Sequence, residues 1–120
     1  MKTSTDPRHV KRQRVIQDLF KVEFHKQRVG KEAGNIIGHK SRIDDIIQKA
    51  APEYPIDKIN RVDLAILRLA VYELVVSPDA PQNVVFDEAI ELAKEFGSES
   101  SPAFINGALG AVLKNEEKTS

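Results

Sequence analysis

The chain has 120 residues, of which 41% are hydrophobic and 30% are charged, the usual balance of one soluble globular domain. It contains no cysteine, which excludes disulfides and thiolate metal sites and is typical of the reducing cytoplasm. The N-terminus is polar, and no apolar run reaches the length that a signal peptide or a membrane span requires. We therefore expect one cytoplasmic domain over residues 1–120, frayed at 1–5 and 115–120, with no membrane association.

The formal net charge of zero conceals a charge gradient along the chain. Residues 1–28 carry eight Lys/Arg against three Asp/Glu, whereas residues 79–120 carry three against eight. A basic beginning and an acidic end indicate two surfaces with different partners, one of them a polyanion. Chance segregation of solvated charges is an equal alternative on this observation alone.

The first predicted helix begins with residues that are typical of a helix N-terminus. Asp6 can cap it, and Pro7 suits the first helical position because its missing N–H is not needed there. Apolar residues then recur at helical spacing, namely Val15, Ile16, Leu19 and Phe20. The pattern predicts a helix from Asp6 to about Lys26.

A second helix is predicted over roughly Val29 to Ala51, where isoleucines and alanines recur at the same spacing. Gly30, Gly34 and Gly38 fall inside it, and each costs about 1 kcal/mol relative to alanine in a helix interior. Two interpretations stay open. Either the helix is frayed or broken at its start, or the glycines let another backbone approach closely.

The most apolar stretch, from Val62 to Val76, predicts a helix in the middle of a bundle because it is apolar on nearly all sides. Asn60 followed by Asp63 is a capping arrangement for its start. On a helical wheel Glu73 falls among apolar residues. Its charge therefore needs a partner, since burying a lone charge is expensive.

Two further helices are predicted in the last third of the chain. One begins near Pro81 and ends at Gly97, and the last begins between Ser98 and Pro102. The acidic residues of the first of these are assigned to its outer face: Glu88, Glu91 and Glu95. Because no run alternates like a strand, the predicted class is all-α, a compact bundle of about five or more helices.

Nothing in the sequence indicates catalysis or a bound cofactor. There is no nucleophile constellation and no glycine loop of the kind that holds phosphates. The three histidines, His9, His25 and His39, lack the spacing of metal ligands on a helix. We therefore expect neither an enzyme nor a metal or cofactor site.

Cations crowd the first two turns of the first helix: Arg8, His9, Lys11, Arg12 and Arg14. The helix dipole disfavours positive charge at this end, so we expect replacement of Arg8, Lys11 and Arg12 by alanine to leave stability level or slightly higher. At 100° per residue they fan around the helix, which suits contacts to RNA phosphates from several directions. The alternative is a merely solvated N-terminal turn.

Phe104 is a second candidate for nucleic-acid binding. It lies at the edge of the apolar stripe of the last helix, beside Ile105. An aromatic ring in this place can stack an unpaired base, a contact worth about 1–3 kcal/mol. Packing at the edge of the core is the alternative.

Three blocks of the C-terminal half resemble the NusB family of transcription antitermination factors in order and spacing. They are INRVDLAILRLAVYEL (Ile59–Leu74), VVFDEAIELAKEFG (Val84–Gly97) and FINGALG (Phe104–Gly110). The segment RQRVIQDLF (Arg12–Phe20) is similar to the family's first helix. Residues 23–40 depart from the family, because they are shorter than its usual second-helix region.

The resemblance implies an all-helical fold that binds a boxA-type single-stranded RNA element jointly with ribosomal protein NusE. The setting would be the transcription elongation complex during synthesis of ribosomal RNA. The implied RNA contacts are Arg8, His9, Lys11, Arg12 and Phe104. Phe20 and Asp63 would contact NusE, although Phe20 can equally belong to the core and Asp63 can equally be a helix cap.

Two other functions are compatible with the sequence. A NusB-like domain also precedes the catalytic part of some ribosomal RNA cytosine methyltransferases, and the chain could be such a module in detached form. The chain could also be a helical adaptor that binds only protein, because Val10 and Gln13 interrupt the basic run. Binding to a boxA-like RNA with and without NusE distinguishes these functions.

Overall fold

A computed structural model of the chain describes residues 6–25 and 30–119, without the side chains of residues 20–25 and 118–119. The described ranges form six α-helices and contain no strand. The helices are α1 (Pro7–His25), α2 (Lys31–Gly38), α3 (Lys40–Ala50), α4 (Arg61–Val71), α5 (Gln82–Phe96) and α6 (Ser101–Thr119). A 3₁₀ turn, Ile56–Lys58, precedes α4, and a π-helical turn, Tyr72–Val76, extends it. The predicted all-α class is confirmed.

Helix α4 lies at the centre of the bundle and packs against α1, α3, α5 and α6. Ile66, Leu67 and Val71 are completely buried, and burying each such side chain stabilises the fold by about 1.5–3 kcal/mol. The predicted cap is confirmed, because the Asn60 side chain accepts hydrogen bonds from the first turn of the helix. Arg68 donates two hydrogen bonds to Asp44, at 2.8 and 2.9 Å, and thereby fastens α4 to α3.

The predicted second helix is in fact two helices, α2 and α3, separated at His39. The break is not at the predicted start of that helix but near its middle. It lets each short helix bury its own apolar residues, among them Ile36 in α2 and Ile43 in α3. Close approach of another backbone is excluded at Gly34 and Gly38, where an added Cβ would meet nothing within 4 Å.

Helix ends follow local chemistry. Asp6 Oδ1 accepts a hydrogen bond of 2.9 Å from the Arg8 amide, as predicted for the start of α1. Helix α5 ends at Gly97, where an added Cβ would lie 2.5 Å from Ser101 Oγ, so only glycine fits the close turn into α6. Helix α6 continues to Thr119, through the segment that was predicted to fray. None of the helices in the described part of the chain is long and apolar enough to cross a membrane.

Candidate nucleic-acid interface

The basic beginning of α1 is divided between an inner and an outer face. His9 is 2% exposed and the Arg12 side chain 11%, whereas the side chains of Arg8 and Lys11 are 78% and 63% exposed. Arg14 is also exposed. The cations do fan around the helix, but the fan does not lie beyond the buried part of α1 as predicted. Two of its members point into the bundle.

His9 is held between two carboxylates of α5. Its Nδ1 lies 3.0 Å from Glu88 Oε2 and its Nε2 lies 2.5 Å from Glu95 Oε1. Both ring nitrogens thus face a carboxylate oxygen at hydrogen-bonding distance, an arrangement that favours the protonated, positively charged ring. Burial alone lowers the pKa of His9, but the hydrogen bonds to Glu88 and Glu95 outweigh it and raise the pKa above its ordinary value.

Arg12 joins α1 to the centre of the bundle. Its Nε and Nη2 donate to the two carboxylate oxygens of Glu73, at 2.8 and 2.7 Å, and Nη1 donates to Glu88 at 3.1 Å. The hydrogen bonds to Glu73 outweigh burial and raise the pKa of Arg12. The prediction that Glu73 needs a partner is confirmed. We call His9, Arg12, Glu73, Glu88 and Glu95 the α1 anchor network.

The assignment of Glu88 to the outer face of α5 is wrong, because this residue is only 4% exposed. At helical spacing position 88 falls between Val85, Ala89 and Leu92, all of which are buried. A charge in that place is tolerated because both oxygens of the carboxylate receive donors from α1.

The sequence carries a signal for the inward direction of His9 and Arg12 that the initial interpretation missed. The buried residues of α1 include Val15, Ile16 and Leu19. Counting back from Ile16 by four residues and then by three reaches Arg12 and His9, on the same helical face. The apolar face of α1 therefore continues toward the N-terminus as a polar face. Its two side chains pair with acidic residues of α5 and of the π-helical turn.

The outer cations face a cleft. Arg8 and Lys11 line a cleft of about 630 Å³ between α1, α2 and the turn that joins α4 to α5. Lys11 Nζ also lies 2.9 Å from Glu32 Oε1 of α2. Both partners of that pair are substantially exposed, so the contact is worth at most about 1 kcal/mol. A phosphate can replace the Glu32 carboxylate without a large loss.

Phe104 lies in the first turn of α6, on elements separate from the basic cleft. Its ring is partly buried against the core and meets Tyr54 edge to face, with ring centroids 5.2 Å apart. Tyr54 is 51% exposed and sits in a loop that Gln48 braces, because Gln48 bonds to backbone groups of Ala51, Tyr54 and Ile56. Sequence reasoning missed Tyr54. An aromatic residue between two prolines of an exposed connection was the available signal.

The two residues that the resemblance assigned to a protein partner are placed differently. Asp63 lies in the first turn of α4 and is 7% exposed. Its Oδ1 is buried and, among the described residues, finds no hydrogen-bond donor. Asn60 already caps the helix, so capping alone does not account for this carboxylate. Phe20 belongs to α1, but its side chain lies outside the described part.

The site therefore consists of exposed cations, aromatic rings and a buried carboxylate with a free oxygen. Guanidinium and ammonium groups bind phosphates, and aromatic rings stack on bases. Within the described residues no three histidine or acidic side chains are grouped so that they could hold a metal ion. These groups are therefore suited to binding a nucleic acid or a protein partner.

Comparison with known proteins defines the class to which this bundle belongs. The chain is 49% identical over 77 residues to the transcription antitermination protein NusB of Geobacter sulfurreducens, a match that covers 64% of this chain. It spans 56% of that relative, little more than half of its length. The structure of T. maritima NusB superposes with a TM-score of 0.78 at 34% identity, over 95% of this chain and 93% of that one. The class is that of the all-helical NusB-like proteins.

The family model for NusB matches residues 31–114, well over half of the chain. The chain belongs to the NusB family, which confirms the resemblance seen in its sequence. A crystal structure of antitermination factors NusB and NusE in complex with double-stranded RNA also superposes, with a TM-score of 0.78 over 92% of this chain and 99% of that one. Its sequence identity is 23%, so this likeness shows the fold alone.

Proposed function

We propose that the protein is an RNA-binding adaptor in transcription antitermination. It binds a boxA-type single-stranded RNA element together with ribosomal protein NusE, within the elongation complex that transcribes ribosomal RNA. The observation that carries the proposal is the pair of exposed cations, Arg8 and Lys11, presented at the start of a helix that buried ion pairs hold in place. The names of the relatives support the same role.

The proposed RNA contacts fall into two groups. Arg8 and Lys11 contact phosphates directly, and Phe104 stacks a base from the exposed part of its ring. His9 and Arg12 act by positioning, because their donors already serve Glu88, Glu95 and Glu73 inside the bundle. Because His9 and Arg12 point inward, the outer face of α1 presents fewer cations than the sequence suggests. RNA binding therefore depends on Arg8 and Lys11.

Replacing Arg8 and Lys11 together by alanine is expected to weaken binding of a boxA-type RNA and to flatten its salt dependence. Each lost phosphate contact reduces the slope of log affinity against log salt by about 0.7 for a single strand. The matched control is Lys40→Ala with Lys49→Ala, which removes two exposed cations from α3. Fluorescence anisotropy with labelled RNA at several salt concentrations measures both slopes. Equal slopes for the two double variants would exclude these phosphate contacts.

The NusE surface is proposed to include Asp63 of α4 and Phe20 of α1. A buried carboxylate oxygen without a donor costs free energy in the isolated protein. A basic or amide group of a partner can remove that cost when it docks. We infer that Asp63 is kept in this position for such a donor.

Asp63→Asn is expected to lower the affinity for NusE by about 1 kcal/mol for an exposed pair and by more for a desolvated one. Stability should stay level or rise, because the lost charge has no hydrogen-bond donor at Oδ1. Asn60→Ala is the contrasting variant, since loss of the cap should cost about 1 kcal/mol of stability. Calorimetric titration of NusE and thermal melts measure both quantities. Normal NusE binding by Asp63→Asn would remove this residue from the surface.

A further inference from the structure

The cleft that Arg8 and Lys11 line is also bounded by α2 and by the turn after α4, whose residues have no role in the function proposed above. On α1 it is lined by Arg8 and Lys11, on α2 by Lys31 and Asn35, and on the turn after α4 by Tyr72. Its volume of about 630 Å³ falls within the range of about 300–1,000 Å³ that small-ligand sites occupy. The cleft is large enough for one nucleotide.

Four cations line this cleft, against three acidic residues, namely Arg8, Lys11, Arg12 and Lys31 against Glu32, Glu73 and Asp79. Glu73 is bonded to Arg12 inside the anchor network, and Glu32 pairs with Lys11. The Asp79 carboxylate accepts a hydrogen bond from Ser77 Oγ at 3.2 Å. Arg8 Nε lies 3.6 Å from Asp6 Oδ1, but the Arg8 side chain is 78% exposed, and Lys31 is exposed as well. The lining residues carry one more positive charge than negative charge, which favours a phosphate beside the exposed Arg8 and Lys31.

The remaining groups match the other parts of a nucleotide. The Asn35 amide offers both a donor and an acceptor, which is what the edge of a base requires. The Tyr72 ring lines the cleft, although it is partly buried against the core and lies 6.2 Å from the His39 ring. Stacking of a base on an aromatic ring tolerates any sequence. A phosphate, a base edge and a base face thus each find a complementary group in one cleft.

The two walls are held in place before any ligand arrives. The Gly30 amide donates to Asp18 Oδ2 at 3.2 Å and ties the start of α2 to α1. At the other wall the Ser77 amide donates to the Tyr72 carbonyl at 2.8 Å and closes the π-helical turn. A preformed site loses less conformational entropy on binding.

We propose that this cleft binds one nucleotide of the single-stranded RNA, with its phosphate among Arg8, Lys11 and Lys31 and its base against Tyr72. The inference rests on the proposed RNA-binding function and adds α2 and the π-helical turn to the interface. Lys31, Asn35 and Tyr72 become specific contacts. The shortened second-helix region then takes part in RNA recognition.

The first test uses substitutions on α2. Lys31→Gln should flatten the salt slope by about 0.7, which makes binding about fivefold weaker at about 0.1 M salt. Asn35→Ala should lower the affinity but leave the slope unchanged, because the lost group is neutral. Lys49→Gln is the matched control, since Lys49 is an exposed lysine of α3 outside the cleft.

The second test measures by fluorescence whether bound RNA lies close to Tyr72 in the cleft. The chain has two tyrosines and no tryptophan, so a Tyr54→Phe protein emits from Tyr72 alone. Its affinity for labelled RNA is measured first by anisotropy. Unlabelled RNA should then quench the Tyr72 emission with the same midpoint. Free tyrosine titrated with the same RNA corrects for absorption of light by the RNA.

The outcomes separate the two proposals. Quenching of Tyr72 together with a reduced slope for Lys31→Gln supports the cleft. Wild-type RNA binding with constant Tyr72 emission and an unchanged Lys31→Gln slope would overturn the cleft and leave the RNA-binding function standing. No binding of RNA by the wild-type protein, alone or with NusE, would overturn both.

Discussion

Arg12→Ala is expected to lower the free energy of unfolding by about 3–5 kcal/mol, the usual result of removing one partner from a buried ion pair. The substitution deletes the cation that Glu73 and Glu88 share, and Glu88 is 4% exposed. The sequence-based expectation was that replacing Arg8, Lys11 and Arg12 leaves stability level or slightly higher. The buried position of Arg12 reverses that expectation for this residue alone.

Urea denaturation followed by circular dichroism measures the effect. Arg14→Ala is the matched control, because Arg14 is an exposed arginine of the same helix and should change stability by no more than about 0.5 kcal/mol. Arg12→Lys should fall between wild type and alanine, since lysine keeps the charge but cannot donate to both Glu73 oxygens in the arginine geometry. A double-mutant cycle with Glu73→Gln gives the coupling energy of the pair.

Equal stability of Arg12→Ala and Arg14→Ala would show that the ion pair contributes nothing to the fold. The result also affects how RNA binding is interpreted. A loss of RNA affinity in Arg12→Ala reports on RNA contacts only where the variant is shown to be folded at the temperature of the assay. Arg8 and Lys11, both exposed, are free of this ambiguity.

The melting temperature is expected to fall as the pH rises above neutrality, because His9 loses its proton. Its pKa in the folded protein lies above the ordinary value, which is about 6.5 in the unfolded chain. The stabilisation from His9 is therefore complete below about pH 6.5 and is lost as the pH rises through the folded pKa. The groups that face the ring are Glu88 and Glu95 of α5, with Arg12 bonded to Glu88.

His9→Gln is expected to remove most of this pH dependence and to destabilise the protein by about 2–3 kcal/mol at pH 6, since two hydrogen bonds to charged groups are lost. Thermal melts between pH 6 and pH 9 measure both effects. His39→Gln is the control, because His39 is exposed and its Nδ1 lies 2.9 Å from the backbone carbonyl of Asn35, four residues earlier in the chain. A wild-type melting temperature that is constant over this range would contradict a charged His9.

Most helices could be predicted from the sequence, because their determinants are local. Asp6, Asn60 and Gly97 mark helix ends through hydrogen bonds or close turns within a few residues, and the structure confirms each of them. The residues of α4 are apolar on nearly all sides, which likewise places this helix at the centre, since a helix without a polar face must be covered on all sides. The break at His39 was not predicted, because it depends on how α2 and α3 each reach the core.

The candidate site was predicted less well, because residue type alone does not say which way a charge points. Five cations at the start of α1 indicated a polyanion surface, and for Arg8 and Lys11 the structure retains that interpretation. His9 and Arg12 point inward because carboxylates more than sixty residues further along the chain receive them. Such a pairing cannot be derived from the sequence of α1.

The sequence by itself thus determined the helical class, the central helix, the starts of α1 and α4, the end of α5 and the family, all of which depend on local periodicity, capping and residue order. Only the tertiary structure decided which cations are buried, that Asp63 keeps an oxygen without a donor, and that α1, α2 and the π-helical turn enclose a cleft. The physical reason is the same in each case. Burial and pairing of a charge depend on neighbours that are distant in the chain, and folding alone brings them together.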